Sequence, residues 1–500
     1  MNCEIFNFFN IVIILQKKMF VPLKDKIFEK ISKVADIHGI DVYVVGGFVR
    51  DYFLGKKSKD IDILAIGDGI YFAEKVAKLL NVENISIFKN YGTAQIKYRN
   101  YVIEFVGARK ESYVPTSRNP QVSLGSFEDD ISRRDFTINA IAVSLNKKTF
   151  GKVVDIFNGI KDIENKIIRT TSNPDRVFSD DPLRMLRAIR FATQLNFTID
   201  NITFEGIKNN AKRIEIVSKE RIVDELNKIL LSLVPSYGFK LLDESTLLSI
   251  ILPELSLLKG VEEKSGKSHK DNFYHTLQVL DQLREKTDKI WLLWAGLLHD
   301  IGKHPTKRFN AQVGWTFHGH EVVGAKMAEK IFQRLKMPLN EALPYVKKLI
   351  QLHLRPVAMV NEEVTDSAIR RLIFEAGDDL EDLLMLAEAD ITSKNETKVR
   401  LYLKNFKELR KKIEEVEEKD RIRNFQPPIS GEEIMNWFNL TPCKLVGDLK
   451  NEVKDAILDG KIANDRNEAI KYLIELAKKN NLNINFDALQ QIFTSHDPEK

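Results

Sequence analysis

The sequence predicts an α+β protein in which a small mixed-sheet domain is followed by helical domains. Between residues 41 and 110, short apolar strand patterns alternate with amphipathic helical segments, a pattern typical of a sheet covered by helices. From about residue 165 onward, the apolar positions follow the helical period almost throughout. Because 500 residues exceed what one hydrophobic core usually supports, we expect several domains.

The composition is typical of a soluble globular protein. Hydrophobic residues make up 43% and charged residues 29%, and 76 basic against 71 acidic residues give a net charge of +5, which permits nucleic acid binding without requiring it. Cys3 and Cys443 are the only cysteines, which excludes a disulfide framework and a cysteine-ligated zinc site and favours a reducing, cytoplasmic location. An apolar run that ends at Leu15 is too short to span a membrane. We therefore expect no membrane association and interpret residues 1–18 as a disordered or mis-assigned extension before Met19.

The segment "GGFVRDYFLGKKSKDIDI" (46–63) contains the first candidate site. Gly46 and Gly47 follow a strand and allow the backbone to turn tightly and approach a ligand. Asp60 and Asp62 are two residues apart on the next predicted strand, so both carboxylates face the same side of the sheet. Two such carboxylates beside a phosphate-binding turn suit Mg²⁺, which commonly uses one or two carboxylates together with substrate phosphates.

Two further segments add groups to this site. Glu104 lies on the apolar strand "YVIEFV", where an unpaired carboxylate would be costly to bury; it either joins the aspartates in metal binding or pairs with Arg109. "SRRDFTINAIAVSL" (132–145) places Arg134 and Asp135 before an apolar run. The arginines of this segment are suited to phosphate oxygens, and the alternative is a capped element with surface charges.

The segment "SDDPLRMLRAIRF" (179–191) predicts a helix with Pro182 in its first turn and Asp181 as its N-cap. Asp181 and Arg184 then lie one turn apart on one face, where an i,i+3 ion pair is the simplest interpretation. An acceptor carboxylate beside a donor guanidinium also offers an edge that can recognise a nucleobase.

Together these motifs resemble the bacterial (class II) tRNA CCA-adding nucleotidyltransferases, which share their architecture with bacterial poly(A) polymerases. The resemblance covers roughly residues 40–255. It implies that Asp60 and Asp62 hold the catalytic Mg²⁺, that Arg134 and Asp135 contact the sugar and phosphates of the incoming nucleotide, and that Asp181 and Arg184 pair with its base. It implies further contacts to the nucleotide from Gly46, Gly47 and Arg50. Asp180-Asp181 stands where the family usually has Glu-Asp, and the part of Glu104 in catalysis stays open.

A second centre is predicted from histidines and aspartates in the helical region. His275, His299-Asp300 and Asp390 could converge on a divalent transition metal that activates water. The quartet resembles the HD superfamily of metal-dependent phosphohydrolases over about residues 270–395, and His320 and His353 match the additional ligands of its two-metal members. His304 and His318 are expected to be surface residues.

The domain prediction follows from these segments. After the extension of residues 1–18, we expect a nucleotidyltransferase head at 19–165 and a helical neck with the base-reading and RNA-binding motifs at 166–265. An all-α HD domain at 266–400 and a helical connector with a tRNA-binding tail at 401–500 complete the chain. The loop-like segment at 260–272 is the expected boundary before the HD domain.

The predicted function is addition of C, C and A to tRNA 3′ ends from CTP and ATP with Mg²⁺, without a nucleic acid template, alongside a phosphohydrolase activity of the HD domain. The close alternatives are a poly(A) polymerase and a CC-adding or A-adding specialist. An alternative of another class is an HD phosphohydrolase whose head only binds nucleotide or RNA.

Overall fold

The computed structural model describes residues 20–89, 92–112, 121–361, 364–392, 395–420, 427–483 and 485. These residues form two compact units, one that ends at Ser256 and one that begins at Leu257. The first contains a mixed sheet and helices and the second is mainly helical, so the predicted α+β class is confirmed. The predicted extension, residues 1–18, lies outside the described residues.

The N-terminal part of the first unit is built on a seven-stranded sheet with the order β3-β4-β5-β2-β1-β8-β9. Its elements are α1 (Lys26–His38), β1 (Val42–Val45), α2 (Gly47–Phe53), β2 (Asp60–Ala65), α3 (Gly69–Leu80), β3 (Ile85–Phe88), β4 (Thr93–Tyr98), β5 (Tyr101–Gly107), the separate hairpin β6 (Arg109–Ser112) and β7 (Gln121–Leu124), α4 (Phe127–Ser132), β8 (Ala142–Ser144) and β9 (Val153–Val154). β2 pairs with β1 in antiparallel and with β5 in parallel orientation.

Side-chain alternation on β2 and β5 decides which face of the sheet carries the candidate site. Ile61, Ile63 and Phe105 are fully buried, and Phe105 contacts Phe72 of α3 with ring centroids 5.9 Å apart. Because successive strand residues point to opposite faces, the intervening acidic residues point away from this helix-covered core.

The remainder of the first unit is helical. It comprises α5 (Gly159–Asn165), β10 (Ile167–Ile168), α6 (Pro174–Asp180), α7 (Leu183–Leu195), β11 (Thr198–Ile199), α8 (Asn201–Asn210), α9 (Lys219–Leu230), α10 (Pro235–Glu244), α11 (Leu247–Ile251) and α12 (Pro253–Ser256). The amphipathic helix α7 packs on α9, and between them Arg190 Nε lies 3.2 Å from Glu225 Oε2 in a buried ion pair. The short parallel pair β10–β11 interrupts the expected helical pattern.

Helices make up most of the second unit. Its elements are β12 (Glu263–Lys264), β13 (Lys267–Ser268), α13 (Asn272–Lys286), α14 (Ile290–Leu298), α15 (Lys303–Thr306), β14 (Arg308–Asn310), β15 (Gly314–Thr316), α16 (His320–Leu335), α17 (Ala342–Leu352), α18 (Leu354–Asn361), α19 (Asp366–Ala376), α20 (Leu380–Ala389), α21 (Glu396–Asp420), α22 (Gly431–Phe438), α23 (Lys444–Leu458) and α24 (Arg466–Lys479). The segment 260–272, expected to be a loop, contains the hairpin β12–β13, whose turn includes Gly266 at φ +70°. Of the helices described, none has the length and apolar character needed to cross a membrane.

Candidate active site and metal centre

Asp62 and Glu104 lie side by side on the face of the sheet opposite the helix-covered core. They are paired in register between β2 and β5, and Asp60 lies on the same face at the exposed beginning of β2. Burial raises the pKa of Asp62; the charge of Asp60 adds to the rise and the Arg134 guanidinium opposes it. Burial and then the charge of Asp62 raise the pKa of Glu104, against the effect of Arg109. Crowded carboxylate oxygens of this kind fit a hard divalent cation such as Mg²⁺.

Gly46 shapes the turn beside these carboxylates. Its φ of +72° belongs to a region that favours glycine, and a Cβ atom there would lie 2.9 Å from Asp62 Oδ2 and 3.4 Å from Arg134 Nη1. Gly47 is the first residue of α2, and a Cβ atom there would meet only Arg50 Nη2, at 3.7 Å. The first glycine is therefore required by the close approach of the backbone to the acidic and basic side chains of the site.

A cavity of about 540 Å³ opens in front of the carboxylates. Its lining includes Asp62, Glu104, Arg109, Arg133 and Arg134. Asp130, which is fully buried, accepts hydrogen bonds from Arg133 Nε at 2.9 Å and Arg134 Nη2 at 3.1 Å. One buried carboxylate thus orients two guanidinium groups toward a cavity that could hold the phosphates of a nucleotide.

Asp135 is held at the centre of a buried hydrogen-bond network. Its Oδ2 accepts from Arg187 Nε at 2.8 Å, and its Oδ1 accepts from Asn139 Nδ2 at 3.1 Å. Asn139 Oδ1 in turn accepts from Arg50 Nη1 at 2.9 Å. Burial favours the neutral acid, but Arg187 and Asn139 outweigh it and lower the pKa of Asp135 to about 2. The predicted nucleotide-binding residues Asp135 and Arg50 are therefore joined to each other and to α7.

Asp181 and Arg184 flank the beginning of α7. Asp181 Oδ1 accepts from Leu183 N at 3.2 Å, which resembles the expected cap, although the helix begins at Leu183 with Pro182 in the capping position. The prediction of an i,i+3 ion pair between Asp181 and Arg184 is wrong. Among the described residues, Asp181 Oδ2 is instead paired with Arg221 Nη2, at 3.9 Å. Arg184 Nη2 instead donates to the carbonyl oxygen of Arg133 at 2.8 Å, which brings this side chain beside the cavity arginines.

The predicted second centre is assembled in the second unit. Two triads share Asp300: one adds His275 and His299, the other adds His320 and His353, and in each triad the ligand atoms lie within 4.8 Å of one another. Asp390 joins them, with its Oδ1 2.8 Å from His275 Nε2. All six predicted ligands thus converge, whereas the expected surface residues His304 and His318 are exposed.

Backbone carbonyl groups fix the orientation of three of these imidazoles. The Nδ1 atoms lie 2.8 Å from Gly296 O for His299, 2.8 Å from Phe317 O for His320 and 2.7 Å from Ile350 O for His353. Each Nδ1–H therefore donates outward and leaves Nε2 as the free ligand atom, as metal-binding histidines require.

Buried polar atoms at this centre lack hydrogen-bond partners. Within the described residues, His299 Nε2 and Asp300 Oδ1 are both buried without one, although such atoms are costly to leave unsatisfied. Burial disfavours protonation of His299, but the charges of Asp300 and Asp390 outweigh it and raise its pKa to about 10. These carboxylates therefore favour a positive charge at Nε2, which a bound metal ion would supply in place of the proton. Burial and the charge of His299 lower the pKa of His353 to about 4. A donor set of imidazole nitrogens and carboxylate oxygens fits a divalent transition metal.

Comparisons with known proteins match the parts of the chain that contain the two candidate sites. Family models match for the poly A polymerase head domain at residues 42–169, for a probable RNA and SrmB-binding site of polymerase A at 196–258, and for the HD domain at 272–395. The A-adding tRNA nucleotidyltransferase of Deinococcus radiodurans is 31% identical over 434 residues, which cover 84% of this chain and 92% of that protein. The chain belongs to the tRNA nucleotidyltransferase family.

Other members of the tRNA nucleotidyltransferase family extend the match. The CCA-adding enzyme of Ligilactobacillus salivarius is 27% identical over 465 residues, 92% of this chain and 96% of that enzyme. The structure of a CCA-adding enzyme in an apo form covers 93% of this chain and 98% of its own, with a TM-score of 0.62 and 22% identity, and shows the same fold. The resemblance to the CCA-adding nucleotidyltransferases with an HD domain is confirmed.

Sequence reasoning missed three residues that support the first site, namely Asp130, Asn139 and Arg187. Asp130 could have been found, since it precedes Arg133 and Arg134 by three and four residues, the spacing of neighbours on a helix. Arg187 follows Arg184 by one turn of α7 and could have been found in the same way. No sequence signal pointed to Asn139, whose partner Arg50 is 89 residues away in the chain.

Proposed function

We propose that the first unit adds C and A residues from CTP and ATP to the 3′ end of tRNA without a nucleic acid template. The observation that carries the proposal is the Asp62–Glu104 pair facing the cavity of Arg133 and Arg134, with Arg184 bound to the backbone of that cavity. The reaction requires a 3′-hydroxyl nucleophile, a bound triphosphate and a means of choosing the base, and the site has groups suited to each.

Asp60 and Asp62, with Glu104 beside them, would hold Mg²⁺. This ion supplies activation of the hydroxyl and neutralisation of charge on the departing pyrophosphate. Arg133 and Arg134 bind and orient the triphosphate, and the backbone at Gly46 and Gly47 approaches it closely. Asp181 and Arg184 offer an acceptor and a donor to the base, which would allow C and A to be selected by hydrogen bonding.

We propose that the second unit contains a phosphohydrolase. His275, His299, Asp300 and Asp390 would hold one divalent transition metal, and His320 and His353, with Asp300 shared, a second. The metal supplies a water of lowered pKa as the nucleophile. The chain's own contribution is the fixed set of Nε2 atoms, together with Lys303, whose Nζ lies 2.6 Å from Asp300 Oδ2 and holds this carboxylate in place.

The five-part division of the chain belongs to the same proposal. It assigns nucleotide transfer to the head at 19–165, base choice and RNA binding to the neck at 166–265, hydrolysis to residues 266–400, and tRNA binding to the tail within 401–500.

An A-adding specialist is the second candidate, because the relative that is 31% identical over most of both chains is named an A-adding enzyme. The two candidates differ in their substrate: a CCA-adding enzyme extends tRNA that ends at the discriminator base, whereas an A-adding enzyme requires tRNA that already ends in CC.

The test uses three tRNA substrates that end at the discriminator base, at C and at CC, each with labelled CTP alone or ATP alone and Mg²⁺. Addition of two C residues to the first and one A to the third supports the full reaction. Addition of A to the third substrate with no addition of C to the first two would establish the A-adding specialist. A long A tail would contradict both candidates.

A further inference from the structure

A second cavity, of about 620 Å³, opens at the beginning of β2 and is strongly basic. The basic residues that line it are Lys24, Lys56, Lys57, Lys59 and Arg99. Of the described residues that line the cavity, Asp25 alone is acidic, and its Oδ2 accepts a hydrogen bond from the Tyr101 hydroxyl. The lining therefore carries five positive charges against one negative charge.

Among the described residues, the lysines of this cavity have no carboxylate partner. Over the described ranges, the ion pairs include none from Lys24, Lys56, Lys57 or Lys59 to a carboxylate. Lys56 and Lys57 are exposed neighbours in the loop between α2 and β2. Like charges gathered in a concave surface raise the local concentration of anions, so the arrangement favours an anionic ligand.

The wall of the cavity is aromatic. Phe28 and Phe48 contact each other edge to face, with ring centroids 5.3 Å apart, and Tyr52 and Tyr101 complete this wall. Tyr52 is 40% exposed and presents ring surface to the cavity. Aromatic side chains interleaved with basic ones are the combination by which proteins bind single-stranded nucleic acid, through stacked bases and neutralised phosphates.

The position of the cavity sets it apart from the nucleotide site. Tyr101 and Glu104 are three residues apart on β5 and so point to opposite faces of the sheet. Lys59 nevertheless directly precedes Asp60, and its carbonyl oxygen accepts from Val102 N at 3.0 Å. The first cavity, beyond the C-terminal half of β5, contains Arg133 and Arg134, which suit a triphosphate. The second basic cavity lies at the opposite end of this strand, next to Tyr101, and is available to another anion.

We propose that this cavity binds the RNA strand that leads to the reacting 3′ end, with its lysines on phosphates and Tyr52 against a base. The proposal rests on the function proposed above and adds to it an RNA-binding site on the head, away from the neck and tail. A free nucleotide presents the same chemistry, and the experiment separates the two.

The main variant is Lys24→Gln/Lys56→Gln/Lys57→Gln, which removes three cations without touching Asp60 or its neighbour Lys59. Its matched control, Lys78→Gln/Lys147→Gln/Lys148→Gln, removes the same charge at exposed positions of the head outside the cavity lining. Binding of tRNA to the full-length proteins is measured over a range of salt concentrations, together with the KM values for CTP and ATP. A second pair, Tyr52→Leu and Tyr52→Phe, tests stacking.

Loss of three phosphate contacts is expected to lower the slope of log Kd for tRNA against log salt by about 2 and to raise Kd about tenfold or more near 0.1 M salt. The control triple variant should stay within about twofold of wild type, because its lysines lie outside the cavity lining and salt screens the effect of exposed charges that do not contact the RNA. Tyr52→Leu should weaken tRNA binding about fivefold or more, and Tyr52→Phe should retain it.

Equal losses of tRNA affinity in both triple variants, or no loss in either, would overturn the proposal. Raised KM values for CTP and ATP with unchanged tRNA affinity would also overturn it, because they would indicate a nucleotide site. Binding is measured without catalysis, so the two proposals can fail separately. If the wild-type protein binds tRNA but adds no nucleotide, the proposed function is contradicted. The RNA-binding role of the cavity is then still tested by the tRNA affinities of the variants.

Discussion

Gly46 is a position at which one added carbon atom should damage the site directly. Gly46→Ala forces a side chain into a backbone conformation at φ +72° and into contact with Asp62. We expect about 1–3 kcal/mol of lost stability and a displaced carboxylate, hence strongly reduced nucleotide addition. Gly47→Ala, with no positive φ and its nearest contact at 3.7 Å, is the matched comparison for stability. Urea unfolding and the addition assay are the measurements, and equal stability of the two variants would contradict the account.

Asp135 should make stability depend on pH through its contact with Arg187. Its folded pKa of about 2 lies below the value of about 3.9 for an unfolded chain. The contribution is therefore fully present above about pH 4 and lost as the pH falls toward about 2, and it amounts to about 2–3 kcal/mol at neutral pH. At pH 7, Arg187→Gln should lower the free energy of unfolding by at least this amount. The difference in unfolding free energy between this variant and wild type should shrink as the pH falls from about 4 toward about 2.

The control for the Arg187→Gln variant is Arg176→Gln. Arg176 is 78% exposed and lies 3.9 Å from Asp180, and an exposed pair of this kind contributes little. The measurement is the urea concentration at the unfolding midpoint of wild type, Arg187→Gln and Arg176→Gln at several pH values between 7 and 3. A difference between wild type and Arg187→Gln that stays constant across this range would refute the assigned role of the ion pair.

At the scale of elements, helix α7 connects the residues proposed for base choice to the arginine-lined cavity, because Arg184 donates to the carbonyl oxygen of Arg133. Asp181→Ala and Arg184→Ala should weaken discrimination against UTP and GTP, because each removes one member of the hydrogen-bonding edge. Loss of a helix cap alone would instead cost about 1 kcal/mol of stability with unchanged selectivity. Incorporation of each of the four nucleotides, measured beside a melting curve, separates the two outcomes, and Arg176→Ala on α6 is the control.

Short-range patterns predicted the elements better than they predicted their pairing. The glycine turn, the alternating aspartates and the helix from Leu183 all follow from local rules of backbone geometry and periodicity. The pairing of Asp62 with Glu104 does not, because the parallel register of β2 and β5 is set by the packing of residues about 40 positions apart. For this reason the sequence left two interpretations of Glu104 open, and the structure places it beside Asp62.

At the scale of the whole molecule, the sequence indicated two chemical centres in separate parts of the chain. The histidines and aspartates of the second unit were found because residue type and helix spacing are visible in the sequence. Asn139 was missed, because its role depends on contacts with Asp135 and with Arg50, which lies on another element. Residues proposed to bind metal or nucleotide were thus easier to find in the sequence than those that hold them in place.

The central claim is that nucleotide addition takes place at the acidic site of the first unit and does not require the histidine centre of the second. The decisive measurement is labelled CTP and ATP incorporation into tRNA by wild type, Asp62→Asn and His299→Ala/Asp300→Ala, with metal-dependent phosphoester hydrolysis measured on the same preparations. A melting curve for each protein excludes unfolding.

We expect Asp62→Asn to lose at least about a thousandfold in addition, since metal-held charge stabilisation accounts for several kcal/mol, and to keep hydrolysis. The double variant should lose hydrolysis and retain addition, because His299 and Asp300 belong to the second unit. We expect its addition rate to stay within about threefold of wild type, which corresponds to only about 0.6 kcal/mol in the activation free energy. Addition by Asp62→Asn within about tenfold of wild type, or its loss in a folded double variant, would contradict the account.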